Sequence, residues 1–534
     1  MALSDRLQRF VMRTSPYQPF RWIYAIVYGA MLGWLMIQVR REPQIKRLEW
    51  RTPSPGHRYG ISDLDVRAET ARLNTEQYFR LCARLSGFLR PRSHWRRILD
   101  FYVFGPDEWQ LQRCLGPTSF GSSRMVRLLG SKRSAVESTP DPPAPNALLC
   151  RAMYEYENLL ELLFEEALTI PFTWTVFRRF KRIDNAYAAK RLKVSNEDLR
   201  MREDLISRAV SIAAGAPLNQ MQDSDIEQLF CIALAEADAL CEDAMKCDLV
   251  SRDSTFEPIS ISIPPDNLSD AIDSCSPGVI ALCSRTGNYV QSAILGCVPA
   301  STFEYRLYFV LREDLSISER ATVFRAIRAE YRSEGSYGRI RNQYLRLRYP
   351  MVLTPTMWRA ASCWYHALRP VEEFYFFTRH GVVLWGRDLR TELTKPSAND
   401  LMRSAGIAVA DLRNLIWEAV HDQGPRRMVD ILTGRIPALW LLLARSMIAT
   451  SSEEALAGCA AFGFPEVEII QELRTHTVGK SPKNLPQATD PIWKPALEAS
   501  STWIDDIAAL ALAQIGSNPH STARLKGLKP DSRS

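Results

Sequence analysis

Three aspartates are spaced to hold divalent cations. The run Tyr59-Gly60-Ile61-Ser62-Asp63-Leu64-Asp65-Val66 is followed about 35 residues later by Ile98-Leu99-Asp100-Phe101-Tyr102-Val103-Phe104. Side chains at i and i+2 of a strand share a face. Asp63 and Asp65 would therefore present two carboxylates from one edge while Leu64 turns inward, and Asp100 at the head of a second strand would supply a third. Hard divalent cations take oxygen ligands, and Mg²⁺ is usually held by a few carboxylates together with substrate phosphates. The chemistry that suits such a trio is the handling of nucleoside triphosphates. An Asp-x-Asp step alone is also a common solvated strand end, so the surrounding elements have to carry the argument.

Between the two carboxylate segments lies Asn74-Thr75-Glu76-Gln77, a capping box of the Ncap and N3 type. It opens a segment with Tyr78, Leu81, Cys82, Leu85, Phe88 and Leu89 at helical spacing. The predicted order is strand with Asp-x-Asp, helix, strand with Asp.

In this order the segment resembles the catalytic core of the DNA polymerase beta-like nucleotidyltransferase superfamily, in its bacterial-type small-molecule or uncharacterised branch. That family carries a Gly-Ser step, then a strand of the form Asp/Glu-apolar-Asp/Glu, then a third carboxylate between apolar residues. Ser62-Asp63-Leu64-Asp65 matches the second element and Leu99-Asp100-Phe101 the third. The first departs: in Trp50-Arg51-Thr52-Pro53-Ser54-Pro55-Gly56, Thr52 keeps a hydroxyl where the family has Ser, and Arg51 stands where it has Gly. The guanidinium of Arg51 suits a phosphate oxygen. His380 to Leu389 is similar to the glycine-flanked strand that follows such cores, and it also reads as an ordinary buried strand. Thr433 to Arg445 and the capped Thr450-Ser451-Ser452-Glu453-Glu454 are similar to the family's C-terminal helical bundle.

The resemblance implies an α+β fold with a mixed sheet flanked by helices, in which Ile45 to Arg51 would be the first strand, with a helix directly before it. It implies transfer of a nucleoside monophosphate from an NTP, taken as ATP, to an acceptor hydroxyl or other nucleophile, with release of pyrophosphate. Asp63 and Asp65 would hold two Mg²⁺ ions, Asp100 would be the third ligand and take the acceptor's proton, and Thr52 and Ser62 would hydrogen-bond the triphosphate. No residue identifies the acceptor. A catalytically silent fold used for nucleotide binding or regulation, and a membrane-associated scaffold, stand as the other two readings.

Length and composition bound these readings. A chain of 534 residues should form several domains. Its charge, 67 Lys plus Arg against 60 Asp plus Glu, is too even to demand a nucleic-acid partner. Arg178 to Arg182 with Lys190-Arg191, interleaved with Phe177 and Tyr187, could line a nucleic-acid backbone, but a solvated helix face is the favoured reading. The 11 cysteines are scattered, show no Cys-x-x-Cys and are odd in number, which predicts reduced thiols and a cytoplasmic setting. The 7 histidines are equally dispersed, so no zinc site is expected.

Trp22 to Val39 is uncharged, with Arg21 before it and Arg40-Arg41 after it, and it contains the small-xxx-small spacing of Gly29 and Gly33. A secretory signal fits poorly, because no small-residue cleavage site follows. Its short tether to the first strand predicts a helix covered by protein on every face, with membrane contact through 22–39 as the alternative.

The remaining chain divides by its punctuation. The catalytic core spans 1–130, a proline-rich linker 131–147 and a helical insertion 148–255. An α/β segment at 256–395, with strands at Gly278 to Leu282 and Tyr305 to Leu311, either completes the catalytic sheet or forms a second module. Ile317 to Tyr331 reads as an amphipathic helix, and Arg339 to Arg348 as an edge strand. A C-terminal helical bundle follows at 396–515 and a disordered tail at 516–534.

Overall fold

The computed structural model describes residues between 10 and 517, apart chiefly from 52–63, 90–98, 115–124, 130–146, 247–256, 259–267, 298–303, 333–345, 362–378, 394–404, 417–427 and 478–484. Positions 131–146 of the expected linker, the tail beyond 517 and most of the edge strand expected from Arg339 lie outside the described residues.

The N-terminal part is α1 (Gln18–Arg40), β1 (Ile45–Arg51), β2 (Leu64–Thr70), α2 (Thr75–Leu89), β3 (Leu99–Phe104), α3 (Pro106–Cys114) and β4 (Met125–Leu129). The strands form a four-stranded mixed sheet in the order β3-β2-β1-β4. β1 is antiparallel to both neighbours and β2 is parallel to β3. The capping box forms reciprocally: Gln77 N donates to Asn74 Oδ1 at 2.9 Å, and Asn74 N donates to Gln77 Oε1 at 3.1 Å. Tyr78, Leu81, Cys82 and Leu85 of α2 are buried, as their helical spacing requires.

Four helices follow: α4 (Ala147–Phe164), α5 (Ile170–Lys190), α6 (Asn196–Ala214) and α7 (Asp223–Lys246). After β5 (Glu257–Pro258) come α8 (Leu268–Arg285), β6 (Val290–Cys297), β7 (Glu304–Leu311), α9 (Ile317–Arg332), β8 (Arg346–Leu347), β9 (Met351–Leu353), α10 (Pro355–Arg359) and β10 (Val382–Gly386). The strands from β6 to β10 do not join the first sheet. They build a second sheet in the order β10-β6-β7-β8, with β9 also on β7, because the antiparallel β6–β7 pair supplies its own template and the four preceding helices pack on it in one apolar core. The expected strand at Gly278 to Leu282 is instead part of α8. Its apolar run belongs to the buried set Ala271, Cys275, Val279, Leu282 and Cys283, whose period is helical rather than two.

The chain ends in a π-helical turn (Asp430–Arg435), α11 (Ile436–Arg445), β11 (Met447–Ile448), α12 (Ser452–Phe462), α13 (Val467–Thr477) and α14 (Lys494–Ser517). These helices share one apolar core with α1, α2 and the first sheet, so the two ends of the sequence make one unit around the middle one. Buried polar ties fasten it. Arg413 Nε donates to Glu108 Oε1 at 2.7 Å, its Nη2 meets Asp505 on α14, and its guanidinium lies 5.1 Å from the Tyr78 ring centre. β11 pairs with β5, and Glu454 accepts from Thr450 N at 2.7 Å and from Arg379 at 3.3 Å, joining residues next to the second sheet to α12.

Four of the basic residues considered for nucleic acid, Arg179, Lys181, Arg182 and Lys190, are engaged internally. Arg179 and Arg182 both donate to buried Glu155, at 2.7 and 2.6 Å, Lys181 meets Asp184, and Lys190 lies 3.1 Å from Asp243. Cys82, Cys231, Cys241, Cys275, Cys283 and Cys459 are buried and unbridged, and burial pushes the thiols of Cys275 and Cys283 up to about 12.

Between α5, α6 and α7, Arg202 donates to Asp184 at 2.6 Å and to Glu236 at 2.9 Å. Burial, reinforced by the charge of Asp184, pushes the Glu236 carboxyl up from 4.5 to about 8. A raised carboxyl pKa means that the folded state binds the extra proton, so this stabilisation is complete below pH 4.5 and is lost as pH rises through about 8. Melting curves should therefore show the helical unit losing stability from pH 6 to pH 9, and Glu236→Gln should flatten that slope. An unchanged slope in the variant would remove Glu236 as its source.

Candidate functional site

Alternation along β2 decides what the first sheet offers. Leu64, Val66, Ala68 and Thr70 are buried on one face, and Asp65, Arg67 and Glu69 are half-buried on the other. The parallel register sets Asp65 beside Asp100, Arg67 beside Tyr102 and Glu69 beside Phe104. On the other side Glu49 is paired with Arg67 and Arg47 with Glu69. Arg51, one step beyond the last recorded pair Trp50–Val66, falls at the level of Asp65, and it pairs with Met125 of β4. One row across the sheet therefore reads Asp100, Asp65, Arg51, Met125, at the head of β2 and β3. Neighbouring strands lie about 4.8 Å apart, so the backbone positions of the two aspartates are direct neighbours at the head of the parallel pair.

The next positions along the same face alternate in sign. Arg47 Nε lies 3.3 Å from Glu69 Oε2, and Arg67 Nη2 lies 3.6 Å from Glu49 Oε2. The ring of Trp109 on α3 sits below both arginines, 5.7 and 5.4 Å from their guanidinium carbons. This ladder holds the strands in register with charges that cancel, whereas the row above it sets two aspartates side by side. Like charges directly opposite one another destabilise a sheet, and a cation between them reverses the sign of that interaction. Sequence reasoning missed the ladder and Trp109, although the alternation Arg47, Glu49, Arg51 and Asp65, Arg67, Glu69 was its signal.

Of the residues expected at the site, Asp65 and Asp100 are brought together in register and Arg51 joins their row. Asp63, Ser62 and Thr52 lie outside the described residues. Among the described residues no three His, Cys, Asp or Glu side chains group as a metal cage. Mg²⁺ is commonly held by only one or two protein carboxylates, with phosphates and water completing its shell.

Comparison of the chain with protein-family models, with curated proteins and with solved structures finds no match.

Proposed function

We propose that the first sheet is the centre of a metal-dependent nucleotidyltransferase that moves a nucleoside monophosphate from an NTP to an acceptor nucleophile and releases pyrophosphate. The observation that carries this reading is the register of Asp65 with Asp100 on neighbouring parallel strands. The strand–helix–strand order from β2 through α2 to β3 is the order found in the nucleotidyltransferase core that the sequence resembles, and it supports the same assignment.

In this reading Asp65 and Asp100, joined by Asp63 from the preceding chain, would hold the two Mg²⁺ ions. When bound, the ions would neutralise the triphosphate and the charge that grows on the attacking and leaving oxygens. Asp100 takes the acceptor's proton as the new bond to the α-phosphorus forms. Arg51, level with Asp65, takes the place of the close backbone approach that glycine gives the family and contacts a phosphate oxygen. Thr52 and Ser62 add hydrogen bonds to the triphosphate. We place the reaction in the cytoplasm, where NTP and Mg²⁺ are both supplied.

Melting curves with each of the four NTPs, with and without Mg²⁺, test the assignment. At least one NTP at about 100 times its dissociation constant should stabilise the fold by about 2.7 kcal/mol, and only when Mg²⁺ is present. Equal curves with and without nucleotide would overturn it.

A further inference from the structure

The helix expected to be covered on every face is covered on one. Tyr28, Met31, Leu32, Leu35 and Val39 of α1 enter the core of the first unit. On the opposite side Trp22 is 67% exposed, Ile26 71% and Ile37 54%, and Ile23 and Val27 are also exposed. At 3.6 residues per turn these positions fall on one stripe with Ala30 and Gly33, running nearly the length of the helix. A side chain built at Gly29 or Gly33 would meet nothing within 4 Å. Phe10 packs edge-on against Phe20 and is itself 54% exposed, so the preceding turn adds another ring to the start of the stripe, near exposed Tyr17.

The charges at the two ends of this stripe point to what covers it. Arg13 and Arg21 stand at its start and Arg40 and Arg41 at its end, and the sequence has no acidic residue between Asp5 and Glu42. Glu42 itself is buried and lies 2.9 Å from Arg84. An apolar stripe with arginines at both ends and aromatic rings at one end is complementary to an anionic lipid surface. A second copy of the same face would bring like charges together at both ends. Nor can the helix cross a bilayer as it stands, because its other face is part of the protein core.

We infer that α1 is an in-plane anchor: its stripe of Trp22, Ile23, Ile26, Val27 and Ile37 dips into the surface of a bilayer containing anionic phospholipid, while its buried face stays on the sheet. The rest of the molecule rides on that surface as a peripheral protein. This inference is independent of the proposed reaction.

Vesicle flotation of the full chain tests it. Wild type should float with vesicles of one-third phosphatidylglycerol in phosphatidylcholine, should not float with phosphatidylcholine alone, and should be released by an alkaline carbonate wash. Ile26→Asp should reduce the bound fraction at least about tenfold, and Arg40→Gln/Arg41→Gln should reduce it in a salt-sensitive way. Both variants alter exposed side chains, so their melting temperatures should match wild type, and Trp22→Ser serves as a second apolar variant if either does not. No binding to anionic vesicles would overturn the inference. So would resistance to the carbonate wash, which would mean a spanning helix, or a dimer in solution that Ile26→Asp dissolves, which would mean that a second copy covers the stripe.

Discussion

Arg413→Met should lower the melting temperature of the unit built from the two chain ends by on the order of 10 °C. The guanidinium is 3% exposed and is shared by Glu108, which is fully buried, by Asp505 and by Ser501, with Tyr78 stacked against it. The two carboxylates hold Arg413 firmly in its charged form against the cost of burial. Removing the cation leaves Glu108 without its partner in the interior, and breaking a buried pair in this way costs about 3 to 5 kcal/mol. For a unit of this size each kcal/mol is worth about 2 to 4 °C. The double variant Arg413→Met/Glu108→Leu removes both charges and should recover a large part of the loss. Calorimetric melting of the three proteins checks this, and a single variant as stable as wild type would show that the pair does not hold α3 to α14.

Asp65→Asn should lower the rate of pyrophosphate release from NTP by at least about 100-fold, since even outer partners of metal ligands are worth 10- to 100-fold. The side chain stands on the half-buried polar face of β2, and its neighbour in the strand, Leu64, is already fully buried on the opposite face. The isosteric amide therefore changes charge without opening a cavity, and the melting temperature should stay the same or rise, because one of two like-charged residues in register on neighbouring strands is neutralised. Pyrophosphate can be followed even without the natural acceptor, because water can take its place slowly. An unchanged rate would remove Asp65 from the proposed site.

Local signals carried the first sheet. β3 over Leu99–Phe104 was readable from its apolar run behind Asp100, β1 over Ile45–Arg51 from the resemblance, and the start of α2 from Asn74 and Gln77, because caps are decided within a few residues. What escaped was non-local. Arg413 and Glu108 are 305 positions apart, and nothing in either segment announces the other. The separateness of the second sheet depends on β6 finding β7 and β10 rather than an edge of the first sheet, which is a choice between partners that periodicity does not encode. Gly278 to Leu282 looked like a strand because a short apolar run fits both periods, and only the burial of Cys275 and Ala271 one and two turns earlier makes it a helix. For α1, an uncharged run said nothing about which side would be covered, and the register of its buried residues on the sheet decided that.

The central claim is that the row through Asp65 and Asp100 binds a metal–nucleotide complex. Titration calorimetry of wild type, Asp65→Asn and Asp100→Asn with NTP, in Mg²⁺ and again in EDTA, measures this binding directly. Wild type should bind saturably only in Mg²⁺, and both variants should lose this binding while their folds persist. Binding of equal affinity in EDTA, or in either variant, would contradict it.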